Sequence, residues 1–157
     1  MEKKVLHVDD DPAILKLVAH TLTARGYEVV SLTDPEVAVR EIFQKAIRVV
    51  ILDIDMPKKD GLTLLREIKQ RDGGIQVVML TGMVSMGTVL QATRFGAEEF
   101  VFKPIVDISD VTVAVDRCFA KINRWWHTLH EWMERKKETQ NLWQCRDGNL
   151  LDLPIMR

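Results

Sequence analysis

The sequence predicts an α/β protein, a doubly wound five-stranded parallel sheet that ends in one extended C-terminal α-helix. Short apolar runs alternate with amphipathic helical stretches along the first two thirds of the 157 residues, the pattern of a parallel sheet covered by helices. Two of those runs, RVVIL and QVVML, are β-branched and lack polar alternation, which marks strands buried on both faces. No Pro or Gly occurs from Ile105 to Asp147, so the last helical stretch has nothing to break it.

Taken in order, Lys4 to Val8 is a short buried strand that stops in Asp9-Asp10-Asp11, and Pro12 sits where the first turn of a helix tolerates it. That helix carries Ile14, Leu15, Leu17, Val18 and Leu22 at helical spacing and ends at Arg25-Gly26, a favourable C-terminal cap. Tyr27 to Leu32 is the second strand, and Asp34-Pro35 opens a helix through Val37, Ala38, Ile42 and Phe43. Arg48 to Leu52 is the third strand. A Pro- and Gly-punctuated loop from Met56 to Gly61 leads to a helix over Leu62 to Gln70. Gln76 to Leu80 is the fourth strand, Gly82 to Gly87 a loop, and Thr88 to Phe95 a helix broken by Gly96. Phe100 to Phe102 makes a fifth strand ending at Lys103-Pro104.

Composition narrows the function classes. At 46% hydrophobic and 29% charged, the chain has enough apolar residues for one sizeable core, and wholesale disorder is excluded. No apolar run approaches the ~18 to 20 residues of a membrane helix, and the N-terminus MEKKVLHVDDDP meets acid before a signal-peptide stretch can develop, so no membrane partner and a cytoplasmic location are expected. Cys118 and Cys145 stand far apart without a CxxC pair and read as free thiols. A net charge of −1 gives no drive toward direct nucleic-acid binding.

In an open parallel sheet, ligands bind beyond the carboxyl ends of the strands. Those ends deliver Asp9 and Asp10 from the first strand, Asp53 from the third, Thr81 from the fourth and Lys103 from the fifth. Carboxylates crowded at one edge repel one another unless a cation neutralises them, and an all-oxygen set suits Mg²⁺ better than zinc. With an ammonium and a hydroxyl beside it, the cluster fits a phosphoryl group in transfer to aspartate. Asp11, directly before Pro12, reads as a helix N-cap.

These residues carry a resemblance to the receiver domain of two-component response regulators, over roughly residues 3 to 120. The motifs are VDDDPAIL after the first strand, ILDIDMPKKDGLTLL around the third, VVMLTG at the fourth and FVFKP at the fifth. The resemblance implies a (βα)5 flavodoxin-like receiver over 1–120 and a helical extension with a short tail over 121–157. It implies a phosphoacceptor switch without a separate catalytic output domain, phosphorylated on Asp53 by a histidine kinase or phosphotransfer protein. Mg²⁺ is then held by Asp10 directly, by Asp9 through water, by Asp53, and by the backbone carbonyl of Asp55. Thr81 and Lys103 contact the phosphoryl oxygens, Thr81 and Phe100 form the conformational switch, and the Lys103–Pro104 bond is cis. Asp55 and Met83 occupy positions that tune the phosphoryl lifetime.

Competing readings are weaker. The D-x-D of Asp53 and Asp55 also opens haloacid-dehalogenase-type phosphatases, but there it follows the first strand. No G-x-G-x-x-G follows the first strand either, which removes a dinucleotide-binding fold. A pseudo-receiver or scaffold that dimerises through its last helix is the alternative from a different class.

From Ile108, the residues Val111, Val115, Cys118, Ile122, Trp125, Leu129 and Trp132 follow strict 3,4 spacing, a heptad seam widened by Phe119, Trp126 and Met133. The spacing predicts a helix running to near Gln140 and a homodimer through residues 108–133. Glu134 to Glu138 reads as a solvated face. The segment after Asp147-Gly148 is too short for a domain, so the chain is expected to be either a stand-alone receiver or the input half of a longer protein.

Overall fold

The computed structural model describes residues 2–82 and 85–144, with side chains as far as Lys137. Met83, Cys145 and the tail after Asp147-Gly148 lie outside the described residues. The chain divides into two compact units, Met1–Ala120 and Lys121–Arg157.

In the first unit the strands are β1 (Lys4–Val8), β2 (Glu28–Leu32), β3 (Val49–Leu52), β4 (Gln76–Thr81) and β5 (Glu99–Phe102). The helices between them are α1 (Pro12–Ala24), α2 (Ala38–Gln44), α3 (Gly61–Arg71) and α4 (Met86–Arg94), and α5 (Ser109–Gln144) follows β5. All strand pairs are parallel, in the order β2-β1-β3-β4-β5. Both faces of the sheet are covered. Leu6, Val8, Val50, Leu52, Val77 and Met79 gather with Ala38, Val39, Ile42, Leu64, Leu65, Ile68 and Ala92 of α2, α3 and α4. The alternating residues Val5, Val49, Ile51, Val78 and Leu80 are buried as well and point the other way. The matching apolar sides belong to α1 (Leu15, Val18, Leu22) and to the start of α5 (Val111, Val115, Cys118). Near that face Phe119 packs on Tyr27 with ring centroids 5.3 Å apart, and the Tyr27 hydroxyl donates to Asp116.

Local chemistry sets the helix starts. Asp11 caps α1 by accepting from the Ala13 N–H at 2.8 Å, as its place before Pro12 predicts. Asp34 caps a 3-10 turn over Pro35–Val37, so α2 begins only at Ala38 and Phe43 is exposed. Ser85 caps α4 through the Thr88 N–H at 3.0 Å, which starts that helix two residues earlier than the apolar pattern does.

The helix α5 runs unbroken for 36 residues, about 54 Å at 1.5 Å per residue. Its apolar stripe corrects one expectation. Val111, Val115, Cys118, Phe119 and Ile122 are buried within this chain, so they cannot face a second copy. The exposed part of the seam is Trp125 (68% exposed), Leu129 (47%) and Trp132 (54%), with Trp126 and Met133 beside it. Of the seam expected to pair over 108–133, the exposed apolar residues fall within 125–133. No described helix is long and apolar enough to cross a membrane.

Candidate functional site

Two backbone hydrogen bonds carry the parallel ladder one residue past the strand ends: Asp9 N–H donates to Leu32 O (3.1 Å) and Asp53 N–H to Val8 O (3.0 Å). This fixes Asp9 and Asp53 side by side at the carboxyl edge. On the opposite flank Lys103 N–H donates to Thr81 O at 2.9 Å, anchoring the start of the cis Lys103–Pro104 turn. The four strand ends read from the sequence thus converge on one edge.

Carboxylate oxygens of Asp9, Asp10 and Asp53 lie within 4.8 Å of one another, with Asp9 and Asp53 buried and Asp10 exposed. Lys103 Nζ donates to Asp9 Oδ2 at 2.7 Å and to Asp53 Oδ2 at 2.9 Å. The other oxygen of Asp9 accepts from the Asp11 N–H at 2.9 Å, and Asp53 Oδ1 accepts weakly from the Asp55 N–H at 3.4 Å. Burial pushes the Asp9 carboxyl above its ordinary range, and Lys103 offsets this only in part. For Lys103 burial opposes the charge, but the hydrogen bonds it donates to Asp9 and Asp53 outweigh it and hold its pKa above the usual lysine value. One ammonium is therefore shared between two buried carboxylates, with Asp10 beside them. The donor set is all oxygen and carries three negative charges against one positive, which fits a hard divalent cation.

Gly61 holds the loop after Asp53 in shape. Its N–H donates to Ile54 O at 2.9 Å, and a Cβ built on it would lie 2.0 Å from Asp53 O and 2.7 Å from Ile54 Cα. Only a residue without a side chain lets α3 start so close to the backbone that carries Asp53. The sequence signal was the Asp60-Gly61 pair, in which Asp60 caps α3 through Thr63 N–H at 3.0 Å. Asp55 is exposed, and its carboxylate is not part of the acidic trio.

Thr81 is fully buried at the end of β4. In register it faces Phe102, while Phe100 faces Met79, so Thr81 and Phe100 lie diagonally on the same face of the sheet. Phe100 is half-buried against the core and stacks on Phe102 at 6.4 Å between centroids.

Sequence reasoning passed over His7. It read as one more residue of an apolar run, yet its ring is completely buried two residues before Asp9 of the acidic edge, with Nε2 3.9 Å from Asp9 Oδ2. A polar residue inside a five-residue buried strand was the available signal.

A family model described as "Response regulator receiver domain" matches residues 5–116. The probable transcriptional regulator ycf27 of Guillardia theta is 38% identical over 103 residues, which are 66% of this chain and 40% of that protein. The chemotaxis protein CheY of Bacillus subtilis is 33% identical over 105 residues, 66% of this chain and 88% of that one. The chain thus spans well under half of the transcriptional regulators it matches and most of the chemotaxis protein. Among solved structures, NtrX from Brucella abortus has a TM-score of 0.74 at 32% identity, covering 82% of this chain and 29% of that one. A response regulator receiver domain protein from Clostridium thermocellum has a TM-score of 0.70 at 32% identity, covering 80% of this chain and 98% of that one.

Proposed function

The chain belongs to the response regulator receiver family, and from that premise we propose that it is a phosphoacceptor switch whose acceptor is Asp53. The observation that carries this reading is the convergence of Asp9, Asp10 and Asp53 around Lys103. The donor is a phosphohistidine of a histidine kinase or phosphotransfer protein. A carboxylate oxygen of Asp53 bonds to phosphorus as the bond from phosphorus to the donor nitrogen breaks, and the nitrogen keeps that electron pair. Lys103, 2.9 Å from Asp53 Oδ2, places a positive charge beside the attacking carboxylate, in reach of the phosphoryl oxygens that carry the negative charge during transfer. The Thr81 hydroxyl donates to a phosphoryl oxygen. Asp9, Asp10, Asp53 and the carbonyl of Asp55 are the residues that would hold Mg²⁺, which when bound offsets the carboxylate charge and polarises the phosphoryl oxygens.

The output rests on a two-state element. Thr81 moving toward the phosphoryl group frees space on its face of the sheet, and Phe100, half-buried on that same face, turns inward. The chain acts as a self-phosphorylating and self-dephosphorylating acceptor. Its place is the cytoplasm, where such kinases present their phosphohistidine. The scaffold alternative has no observation in its favour.

The domain division we propose is a receiver over 1–120 and, over 121–157, a helical extension with a short tail, whose helix pairs with a second copy. The stripe Trp125, Leu129 and Trp132 continues at heptad spacing and stays exposed, and a self-complementary seam is most economically covered by itself. Incubation with acetyl phosphate and Mg²⁺ tests the acceptor: the intact chain gains one phosphoryl group by mass, and Asp53→Asn gains none. Equal phosphorylation of Asp53→Asn overturns the assignment.

A further inference from the structure

His7 sits in the middle of β1 with 0% exposure, and neither ring nitrogen has a hydrogen-bond partner among the described residues. Val or Ile would fill that strand position without burying unpaired polar atoms, so the ring needs an explanation beyond packing. Its Nε2 points toward the acidic edge and lies 3.9 Å from Asp9 Oδ2, about 1 Å beyond a hydrogen bond.

Asp9 is fully buried, and both of its oxygens are spoken for: Oδ1 by the Asp11 N–H, Oδ2 by Lys103 Nζ. Lys103 also holds Asp53. Any cation drawn among the three carboxylates repels the ammonium, and any phosphoryl group on Asp53 attracts it, so both events take Lys103 away from Asp9. A buried carboxylate oxygen then loses its donor, at a cost that water cannot meet in a closed site. An unspent donor stands 3.9 Å away in the His7 ring, which burial and the charge of Lys103 keep neutral, leaving it one N–H to give.

We propose that His7 is a positioning residue for the acidic centre: its Nε2–H takes over Asp9 Oδ2 when Lys103 is displaced, holding Asp9 in place for the loaded site. This rests on the phosphoacceptor reading above. His7 touches neither substrate nor phosphoryl group and acts only through Asp9.

The test uses the full chain and Mg²⁺ as the probe. Calorimetry is expected to give His7→Val a Kd for Mg²⁺ about tenfold above that of the parent chain, the scale seen when a partner of a metal ligand is removed. His7→Gln, which keeps an N–H at the same reach, is expected to restore binding. The unfolding midpoint of metal-free His7→Val is expected to equal or exceed the parent's, since an unpaired polar group has been removed. In the unmutated chain the imidazole N–H signal of His7 moves downfield on adding Mg²⁺, a change that a packing role does not produce. Unaltered Mg²⁺ affinity in His7→Val, or an unmoved imidazole signal in a chain that takes Mg²⁺, overturns this inference alone. A parent chain that takes no Mg²⁺ overturns the phosphoacceptor reading and this inference with it.

Discussion

Gly61→Ala tests how closely the phosphoacceptor depends on the backbone behind it. The new Cβ would lie 2.0 Å from Asp53 O and 2.8 Å from Asp53 C, both main-chain atoms that no rotamer change can move aside. Reaching ordinary van der Waals contact requires a displacement of about 1.4 Å between the start of α3 and the Asp53–Ile54 backbone. Overpacking against a rigid backbone costs about 3 kcal/mol, a large share of the ~5 to 15 kcal/mol that holds a domain folded. The same displacement moves Asp53 relative to Lys103, and a misplacement near 1 Å lowers a reaction rate on the order of a hundredfold. Urea unfolding and the initial rate of phosphorylation by acetyl phosphate read the two effects separately. Gly87→Ala is the control: its nearest atom is Ser85 Oγ at 3.8 Å, and alanine in the first turn of α4 is expected to gain up to about 1 kcal/mol. A Gly61→Ala protein with the parent's midpoint and the parent's rate would refute the argument.

Three further outcomes are expected. The His7 pKa is lowered to about 3 by burial first and by Lys103 second, so the unfolded chain, with histidine near 6.5, binds more protons between those values. Stability therefore falls as pH drops from 6.5 toward 3, by about 2 kcal/mol at pH 5, and urea melts at pH 7 and pH 5 should show that loss in the parent but not in His7→Val. Thr81→Ala should leave Asp53 phosphorylatable while abolishing phosphorylation-dependent amide shifts from Ala97 to Phe102; equal shifts in both proteins would show that Thr81 and Phe100 are not coupled. Leu129→Asp should weaken self-association at least tenfold by sedimentation, since each buried side chain of the stripe contributes about 1.5 to 3 kcal/mol. A parent chain that sediments as a monomer at tens of micromolar would exclude the paired helix.

Most of the sheet and its acidic edge could be read from the residues because the strands are short, mainly apolar runs, and those at the edge of the site end in a residue too polar to continue them. Asp9, Asp53 and Lys103 all stand at such endings, and the structure brings them together. Caps were legible for the same local reason: Asp11 before Pro12, and Asp34 before Pro35, offer a side-chain acceptor just ahead of a rigid first turn. What escaped depends on distant parts of the chain. The seam of α5 has one uniform spacing, yet Val111, Val115 and Cys118 are buried by their own fold while Trp125 and Leu129 are exposed. Periodicity reports which face is apolar and says nothing of what covers it. His7 and Gly61 were missed similarly, since their meaning lies in a 3.9 Å approach to Asp9 and a 2.0 Å approach to Asp53 O that only the folded backbone creates.

The central claim is that the carboxylate between Val8 and Lys103 at this edge receives the phosphoryl group. Site-resolved mass spectrometry of the chain after treatment with acetyl phosphate and Mg²⁺ addresses it directly, with the acyl phosphate trapped by hydroxylamine before digestion. The hydroxamate is predicted on Asp53 alone. A hydroxamate on Asp9, Asp10 or Asp55 instead, or none anywhere in a chain that binds Mg²⁺, would contradict it.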